Sequence, residues 1–197
     1  NTTLDPGETD NTIDFGYYQP ATIGDFVFSD YDGDGVYEVD GNDGTPGNAD
    51  DDTPLSGITV YVDIDGSGDL NAGDLSDLTD AAGAYSIGNI PPGTYDVRVD
   101  NPPAGSTLSL GSDPTNTTLD PGETDNTIDF GYYQPATIVV VEDSVPNDPQ
   151  DFGYTGNGPS GYDFGGGFTL DDDSDGTEPK TRTFVNLQPG SYTLTQG

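Results

Sequence analysis

A block of 22 residues occurs twice in the chain, letter for letter. Residues 1–22 reappear as residues 116–137, and the offset of 115 residues is the size of a small domain. The sequence diverges after the second copy, so the block closes one domain and leads into the next. We predict the end of a preceding repeat (a terminal strand and linker) at 1–22, a complete domain at 23–137, and a second, incomplete domain at 138–197.

Short strands with turns between them are the predicted secondary structure. In the repeated block, Ile128, Phe130 and Tyr132 alternate with polar or small residues, which is the period of a half-buried strand. Further segments with the same alternation are flanked by clusters of Gly, Pro or Asp. These contain Phe26 and Phe28; Ile58, Val60 and Val62; residues 84–87; and Tyr95, Val97 and Val99. The chain is predicted to be all-β, built from tandem small β-sandwich domains.

A second, shorter repeated motif occurs in both the complete domain and the tail. The segment NIPPGTY at 89–95 returns as NLQPGSY at 186–192, and in both a Pro-Gly turn precedes a strand with an inward-facing Tyr. The tail is therefore predicted to be a related sandwich. It is expected to be incomplete, because no closing strand like 126–133 follows Thr195.

Carboxylates dominate the charge of the chain. Its net charge is −34 with only three Lys and Arg residues, and 32 of its 37 acidic residues are Asp. The short Asp side chain favours turns and hard-cation ligation. Such a surface repels nucleic acid and anionic membranes, and no segment is long and apolar enough for membrane insertion. The absence of Cys excludes disulfides. The first residues show no signal-peptide pattern and no initial Met, and we expect the sequence to be a processed or excised segment.

The segment 63–74 carries the sharpest candidate metal site. Oxygen-bearing side chains occupy positions 1, 3, 5, 9 and 12 of an EF-hand-like loop, Gly68 occupies position 6, and Asp69 at position 7 would offer its carbonyl. The side chains are those of Asp63, Asp65, Ser67, Asn71 and Asp74. The spacing predicts a Ca2+ site, and the alternative is an acidic loop solvated by water.

A second candidate Ca2+ loop begins at residue 30. Asp30, Asp32 and Asp34 occupy positions 1, 3 and 5, Gly35 follows, and Val36 would offer its carbonyl at position 7. Position 12 is Gly, so the last ligand has to come from elsewhere. Glu38, Asp40 and the acidic run 50–52 are the options that the sequence leaves open, and a charged turn is the alternative to a metal site.

Weaker acidic patterns follow in the chain. Asp171, Asp173 and Asp175 repeat the start of the pattern in the tail, but Pro179 falls where a ligand is expected. Asp77 and Asp80 follow the loop 63–74, and either complete a neighbouring Ca2+ site or form a turn.

Six motifs occur in order along the complete domain: IGDF at 23–26, the loop 30–35, LSGITV at 55–60, GAY at 83–85, IPPGTY at 90–95 and DFGYY at 129–133. On these motifs the domain resembles the B-type domain of serine-aspartate repeat surface adhesins. The resemblance implies a calcium-binding, prealbumin-like β-sandwich that acts as a stalk on bacterial surface proteins. It implies Asp30, Asp32, Asp34 and Asp80 as ligands. The insertion 41–52 and the loop 63–74 depart from it.

The tail is similar to another prealbumin-like, Cna B-type bacterial surface domain, on the motifs at 145–152, 168–173 and 183–187. Related pilin modules often carry a crosslink from Lys to Asn or Asp. Residues 23–137 contain no Lys, so the crosslink is excluded there. Calcium is then the remaining candidate for rigidity.

These patterns predict a calcium-stabilised structural repeat of an extracellular surface protein or secreted fibre. An adhesin module that binds a protein or glycan is the alternative. Neighbouring repeats or identical subunits are the expected partners, through strand addition by residues 1–22 in the second case. No catalytic residue is predicted, because His and Cys are absent and the spacing of the Asp clusters is accounted for by metal ligation.

Overall fold

A computed structural model describes residues 3–41, 44–145, 150–172, 176 and 178–197. Within these ranges the chain is all-β, as the sequence predicts: fifteen strands and two single 3₁₀ turns, Pro159–Gly161 and Phe164–Gly166. No helix in the described ranges is long or apolar enough to cross a bilayer.

Two sheets face each other in the first sandwich. The larger has six strands in the order β2-β1-β10-β7, with β5 and β9 also paired to β1, and the smaller has the order β4-β3-β6-β8. The larger sheet consists of β1 (Ala21–Ser29), β2 (Thr53–Pro54), β5 (Ala84–Ile90), β7 (Thr107–Leu110), β9 (Thr124–Asp125) and β10 (Phe130–Tyr133). The smaller consists of β3 (Thr59–Asp63), β4 (Leu75–Leu78), β6 (Gly93–Val99) and β8 (Thr115–Leu119).

The core lies between these sheets and follows the predicted alternation. Val60 and Val62 of β3 have no solvent exposure, and the same is true of Ile23 and Phe130 from the opposite sheet. Each buried side chain of this size contributes about 1.5–3 kcal/mol relative to an exposed one. The inward faces of both sheets therefore supply most of the stability of a chain that has no disulfide.

Strand β1 is the central element, because other strands pair with both of its edges. One edge pairs antiparallel with β5 and β2, and the other pairs parallel with β9 and β10. In the parallel register, Thr22 pairs with Thr124 and Val27 pairs with Phe130. The second copy of the repeated block thus closes the sandwich along β1.

The tail contains a second core and two small sheets. One is formed by β11 (Ala136–Val141) and β14 (Thr181–Leu187), the other by β13 (Phe168–Leu170), β12 (Phe152–Asn157) and β15 (Thr193–Gln196). The β11–β14 pair reproduces β1–β5, including a register shift after the first paired residue. Asn89 and Asn186 occupy matching left-handed positions, at φ 62° and 57°. Asn tolerates this conformation better than most residues do.

The first copy of the repeated block has a different structure from the second. Residues 3–20 contain no strand, and β1 begins at Ala21. The terminal strand predicted within 1–22 is absent from these described residues, because no neighbouring strand supplies hydrogen-bond partners there.

Tyr85 forms a hydrogen bond to the segment that leads into β10. Its side chain is 4% exposed, and its hydroxyl donates a hydrogen bond of 2.6 Å to the backbone carbonyl of Ile128. Burial raises the pKa of this phenol far above its usual range, so it stays a neutral donor.

Tyr85→Phe is expected to destabilise the chain by about 1–3 kcal/mol, because the buried Ile128 carbonyl loses its donor. Urea unfolding in the presence of Ca2+ measures the change. Tyr18→Phe removes a hydroxyl from a side chain that is 59% exposed, and serves as the matched control. Equal unfolding midpoints for the two variants would contradict the role assigned to Tyr85.

Candidate functional site

The loop 63–74 is anchored by a buried carboxylate at the end of β3. Asp63 is 5% exposed, and its two oxygens accept hydrogen bonds from the backbone amides of Ser67 at 3.1 Å and Gly68 at 2.8 Å. Gly66 and Gly68 have φ of 72° and 84°, a conformation in which Gly carries little strain. The chain therefore curls tightly around the Asp63 carboxylate.

The loop gathers three predicted ligand carboxylates. Asp63, Asp65 and Asp74 each place one oxygen within 4.8 Å of the others. Asp74 is held by the backbone amides of Ile64 and Asn71, both at 2.9 Å. Positions 1, 3 and 12 of the loop are thus brought together although they span the whole segment.

Three oxygen atoms of the loop surround the side-chain nitrogen of Asn71. The side-chain nitrogen of Asn71 lies 3.0 Å from Asp65 Oδ2, 2.9 Å from Ser67 Oγ and 3.3 Å from the Asp69 carbonyl. Hydrogen bonds from Ser67 and Asn71 lower the pKa of Asp65, so this carboxyl is ionised at neutral pH. The oxygens predicted at positions 3, 5 and 7 therefore converge on a single donor, and a cation would take the place of that donor.

Arg98 on β6 gives this loop its only ion-pair partner among the described residues. Its guanidinium lies 3.6 Å from Asp63 Oδ2 and 3.4 Å from Asp96 Oδ2. The Arg98 side chain is 25% exposed, so the pair is partly shielded from water. One positive charge faces the three clustered carboxylates, which leaves the loop with an excess of negative charge.

The loop that begins at residue 30 repeats this construction at the end of β1. Asp30 is 1% exposed, and its oxygens accept hydrogen bonds from the amides of Gly33 at 2.6 Å and Gly35 at 2.9 Å. Its own amide donates to the Tyr132 carbonyl at 2.8 Å. Asp30, Asp32 and Asp34 bring one oxygen each within 4.8 Å of the others.

Asp52 lies against this loop from the far end of the insertion 41–52. It is 8% exposed, and its oxygens accept hydrogen bonds from the amides of Tyr31 at 2.7 Å and Glu38 at 2.9 Å. Burial raises the pKa of Asp52, and the charges of Asp30 and Asp32 raise it further. The sequence offers Asp52 as one of several candidates for the last ligand of this loop. In the folded chain, Asp52 is the candidate that is buried.

Other predicted ligands of this loop are placed less closely. Partial desolvation and the nearby acidic side chains, led by Asp34, raise the pKa of Glu38, which is not one of the three carboxylates that cluster in this loop. Asp40 belongs to neither carboxylate cluster, and its carbonyl accepts the Thr45 amide. The Val36 amide donates to Asp34 Oδ1 at 2.8 Å, and ligation by the Val36 carbonyl stays a prediction.

The remaining candidates have different surroundings. Asp80 belongs to neither cluster and caps the turn before β5, accepting hydrogen bonds from the amides of Ala82 and Ala84 at 2.8 and 3.0 Å. Asp171 is buried in the tail, whereas Asp173 and Asp175 lie outside the described residues. The tail site therefore stays a prediction.

A third acidic group lies beside β1, away from both loops. Asp25 of β1 and Asp129 before β10 share a hydrogen bond, and the charge of Asp125 of β9 helps to raise the pKa of Asp25. Burial, together with the charge of Asp25, raises the pKa of Asp129 to about 6. Protonation of Asp129 below this pKa relieves its repulsion with Asp25.

Comparison with known proteins places most of the first sandwich in a described family. The model of the SdrD B-like domain matches residues 21–132, more than half of the chain. No curated protein matches the sequence.

Solved structures show weaker similarity. The Bacillus anthracis TIE protein is 16% identical, with 91% of this chain and 28% of that chain covered and a TM-score of 0.38. The minor pilin of Streptococcus agalactiae is 14% identical, with coverages of 66% and 49% and a TM-score of 0.38. The full-length major pilin SpaD of Corynebacterium diphtheriae is 13% identical, with coverages of 95% and 57% and a TM-score of 0.37. The chain spans less than two thirds of each of these structures.

Asp65→Asn is expected to weaken the highest-affinity Ca2+ binding by about tenfold or more, because a charged ligand becomes neutral. Calorimetric titration of the calcium-stripped chain measures the change. Asp69→Asn makes the same charge change two positions from Ser67, but leaves the Asp69 carbonyl in place, and is expected to bind nearly as wild type. Equal weakening by both variants would show a general charge effect and no ligation by Asp65.

Asp129→Asn is expected to stabilise the chain at pH 7 and to change it little at pH 4. The pKa of this carboxyl rises from 3.8 to about 6 on folding, so wild-type stability falls as pH rises through this window. The Asn variant lacks that loss and can donate to Asp25. Melting temperatures from pH 4 to 7 in saturating Ca2+ measure the difference, with the exposed Asp100→Asn as control. A constant difference across the window would contradict the shared proton.

Proposed function

Since the chain belongs to the SdrD B-like domain family, we propose that it is a structural segment of an extracellular surface protein, in which bound calcium makes the tandem sandwiches a stiff element. The observation that carries the proposal is the pair of carboxylate clusters, 30–34 and 63–74, each built on a buried Asp at a strand end. Each gathers three carboxylates within 4.8 Å in a chain whose net charge is −34.

Ca2+ suits both loops better than other common cations do. It takes six to eight oxygen ligands in flexible geometry, whereas Mg2+ demands a strict octahedron and Zn2+ favours His and Cys, which the chain lacks. The first loop would use Asp30, Asp32, Asp34 and the Val36 carbonyl, with Glu38 and Asp52 adjacent. The second would use Asp63, Asp65, Ser67, the Asp69 carbonyl, Asn71 and Asp74. Calcium supplies the positive charge that each cluster lacks.

Calcium binding would then contribute directly to folding stability. Without the cation, each loop holds its like charges together against their repulsion, and the carboxylates separate on unfolding. A ligand that binds only the folded chain stabilises it by about 2.7 kcal/mol per site when present at 100 times its dissociation constant. Two such sites are a large part of the stability of a small domain.

The loop 30–40 also connects the first sandwich to the tail. The Gln188 side-chain amide donates hydrogen bonds to the carbonyls of Asp32 at 3.2 Å and Gly33 at 3.1 Å. A Cβ on Gly33 would lie 3.0 Å from both Gln188 and the ring of Tyr133, so there is no room for a larger residue. Ordering of this loop by calcium would therefore fix the angle between the two sandwiches.

An extracellular location and a structural role fit the remaining chemistry. Millimolar calcium is available outside the cell and saturates sites of the modest affinity that extracellular modules have. The surface is too acidic for nucleic acid, and His and Cys are absent. Neighbouring repeats or pilus-like subunits are the partners that such a segment would contact.

Removal of calcium with excess EDTA is expected to lower the melting temperature by roughly 10–20 °C, because two folding-linked sites are lost. Small-angle scattering of the same samples is expected to show a wider range of interdomain angles. An unchanged melting curve and an unchanged scattering profile in EDTA would refute the proposal.

Gln188→Ala separates the two effects of calcium. It is expected to broaden the interdomain angle in saturating Ca2+ while Ca2+ stoichiometry stays at the wild-type value, since no ligand is altered. Ser191→Ala, at an exposed position near Gln188, serves as the matched control. A scattering profile identical to wild type for Gln188→Ala would rule out this contact as the interdomain lock.

A further inference from the structure

The repeated block is exposed in its first copy and buried in its second. Phe15 and Tyr17 are 80% and 94% exposed, whereas their counterparts Phe130 and Tyr132 are 0% and 5% exposed. The same holds for Leu4 and Ile13, at 57% and 53%, against 2% and 4% for Leu119 and Ile128. Residues 3–18 thus present the inward face of a closing strand to solvent. Contiguous exposed apolar surface of this kind marks an interaction site.

The exposed copy already has the local conformation of the docked copy. In both, an Asp-Pro-Gly-Glu turn is closed by a backbone bond and by a Glu carboxylate: Glu8 with Asp5 at 3.0 and 2.8 Å, and Glu123 with Asp120 at 3.1 and 2.6 Å. Asp10 accepts the amide and hydroxyl of Thr12 just as Asp125 accepts those of Thr127. The segment is therefore preorganised, which lowers the entropy cost of docking.

A matching edge is open on the tail. Strand β11 is the counterpart of β1, and it pairs with β14 along one edge only within the part of the chain that the structure describes. In β1 the other edge takes β9 and β10, and the Thr22 amide donates to the Glu123 carbonyl at 2.9 Å. Ala136 and Ile138 are half-buried, whereas their counterparts Ala21 and Ile23 have no exposure. The tail core lacks the cover that the repeated block gives the first sandwich.

Segment and edge lie at opposite ends of the first sandwich. Residues 3–18 lead into the start of β1, whereas the tail follows β10, whose Tyr132 pairs with Ser29 at the end of β1. Nine strand residues span about 30 Å. A segment and an edge so separated favour contact between copies over contact within one copy.

We propose that residues 3–18 of one copy add as a parallel strand to the open edge of β11 in a second copy. The intramolecular template sets the register: Thr9 and Asp10 lie beside Thr137 and Ile138, and Phe15 lies beside Glu142. Four acidic residues of the segment, Asp5, Glu8, Asp10 and Asp14, would approach the sheet of β11 and β14. Arg182 lies on β14 and Lys180 directly precedes it, and these are two of the three cations of the chain. The contact is heterologous and does not close, so it generates a head-to-tail filament. It uses none of the calcium-loop side chains.

Complementation between two variants tests the contact. A donor-deficient variant carries Phe15→Ser and Tyr17→Ser. An acceptor-deficient variant carries Thr137→Pro, which removes the amide that corresponds to the Thr22 donor. Sedimentation in saturating Ca2+ is expected to show concentration-dependent growth beyond the dimer for wild type, the 20.5 kDa monomer for each variant alone, and a capped dimer for their equimolar mixture. Leu78→Ser removes a 59% exposed apolar side chain elsewhere and is expected to assemble as wild type.

A wild-type chain that stays monomeric at every concentration would overturn the proposal, and would indicate that another part of a longer polypeptide covers these residues. Assembly that survives in either variant alone, or a mixture that stays monomeric, would also overturn it. Hydrogen exchange of the wild-type chain needs no variant: the amides of 9–10 and 137–138 are expected to become protected together as concentration rises. Repeating the sedimentation in EDTA separates this contact from calcium binding, because loss of calcium does not remove the segment or the edge.

Discussion

Repulsion between carboxylates at the ends of two strands is the constraint on which the rest of this structure depends. Asp30 directly follows β1 and Asp63 ends β3, and both are almost fully buried although they begin loops with further Asp residues. Each satisfies both of its oxygens with backbone amides of its own loop, so the fold of the loop and the burial of the charge require each other.

The molecule relieves this repulsion in more than one way. Arg98 lies beside Asp63, and below a pH of about 6 protonation of Asp129 removes its repulsion with Asp25. Both interactions lie beside strands, whose backbone holds the partner side chain in a fixed position. Arg98 offsets only part of the charge of the three carboxylates clustered in the loop 63–74. A divalent ion from solvent would supply further positive charge to both loops.

The two copies of the repeated block have identical residues but different structures. Turns such as Asp5 to Glu8 form in both copies, because their hydrogen bonds are local. Strand structure forms only in the second copy, where β1 supplies the partner edge. Local geometry is thus inherent in the block, and its burial is decided by the neighbouring strand.

The sequence by itself determined the all-β class, the strands β1, β3, β5, β6 and β10 of the first sandwich, and the two carboxylate clusters, because alternation and loop spacing are local properties. It did not predict the short strands β2, β4, β7, β8 and β9, which have two to five residues each and carry little pattern. Only the tertiary structure decided that Asp52 meets the first loop across the insertion, that Asp80 caps a turn instead, and that Gln188 contacts Asp32. These contacts join residues far apart in the chain, and their partners are set by how the sheets pack and not by spacing along the sequence.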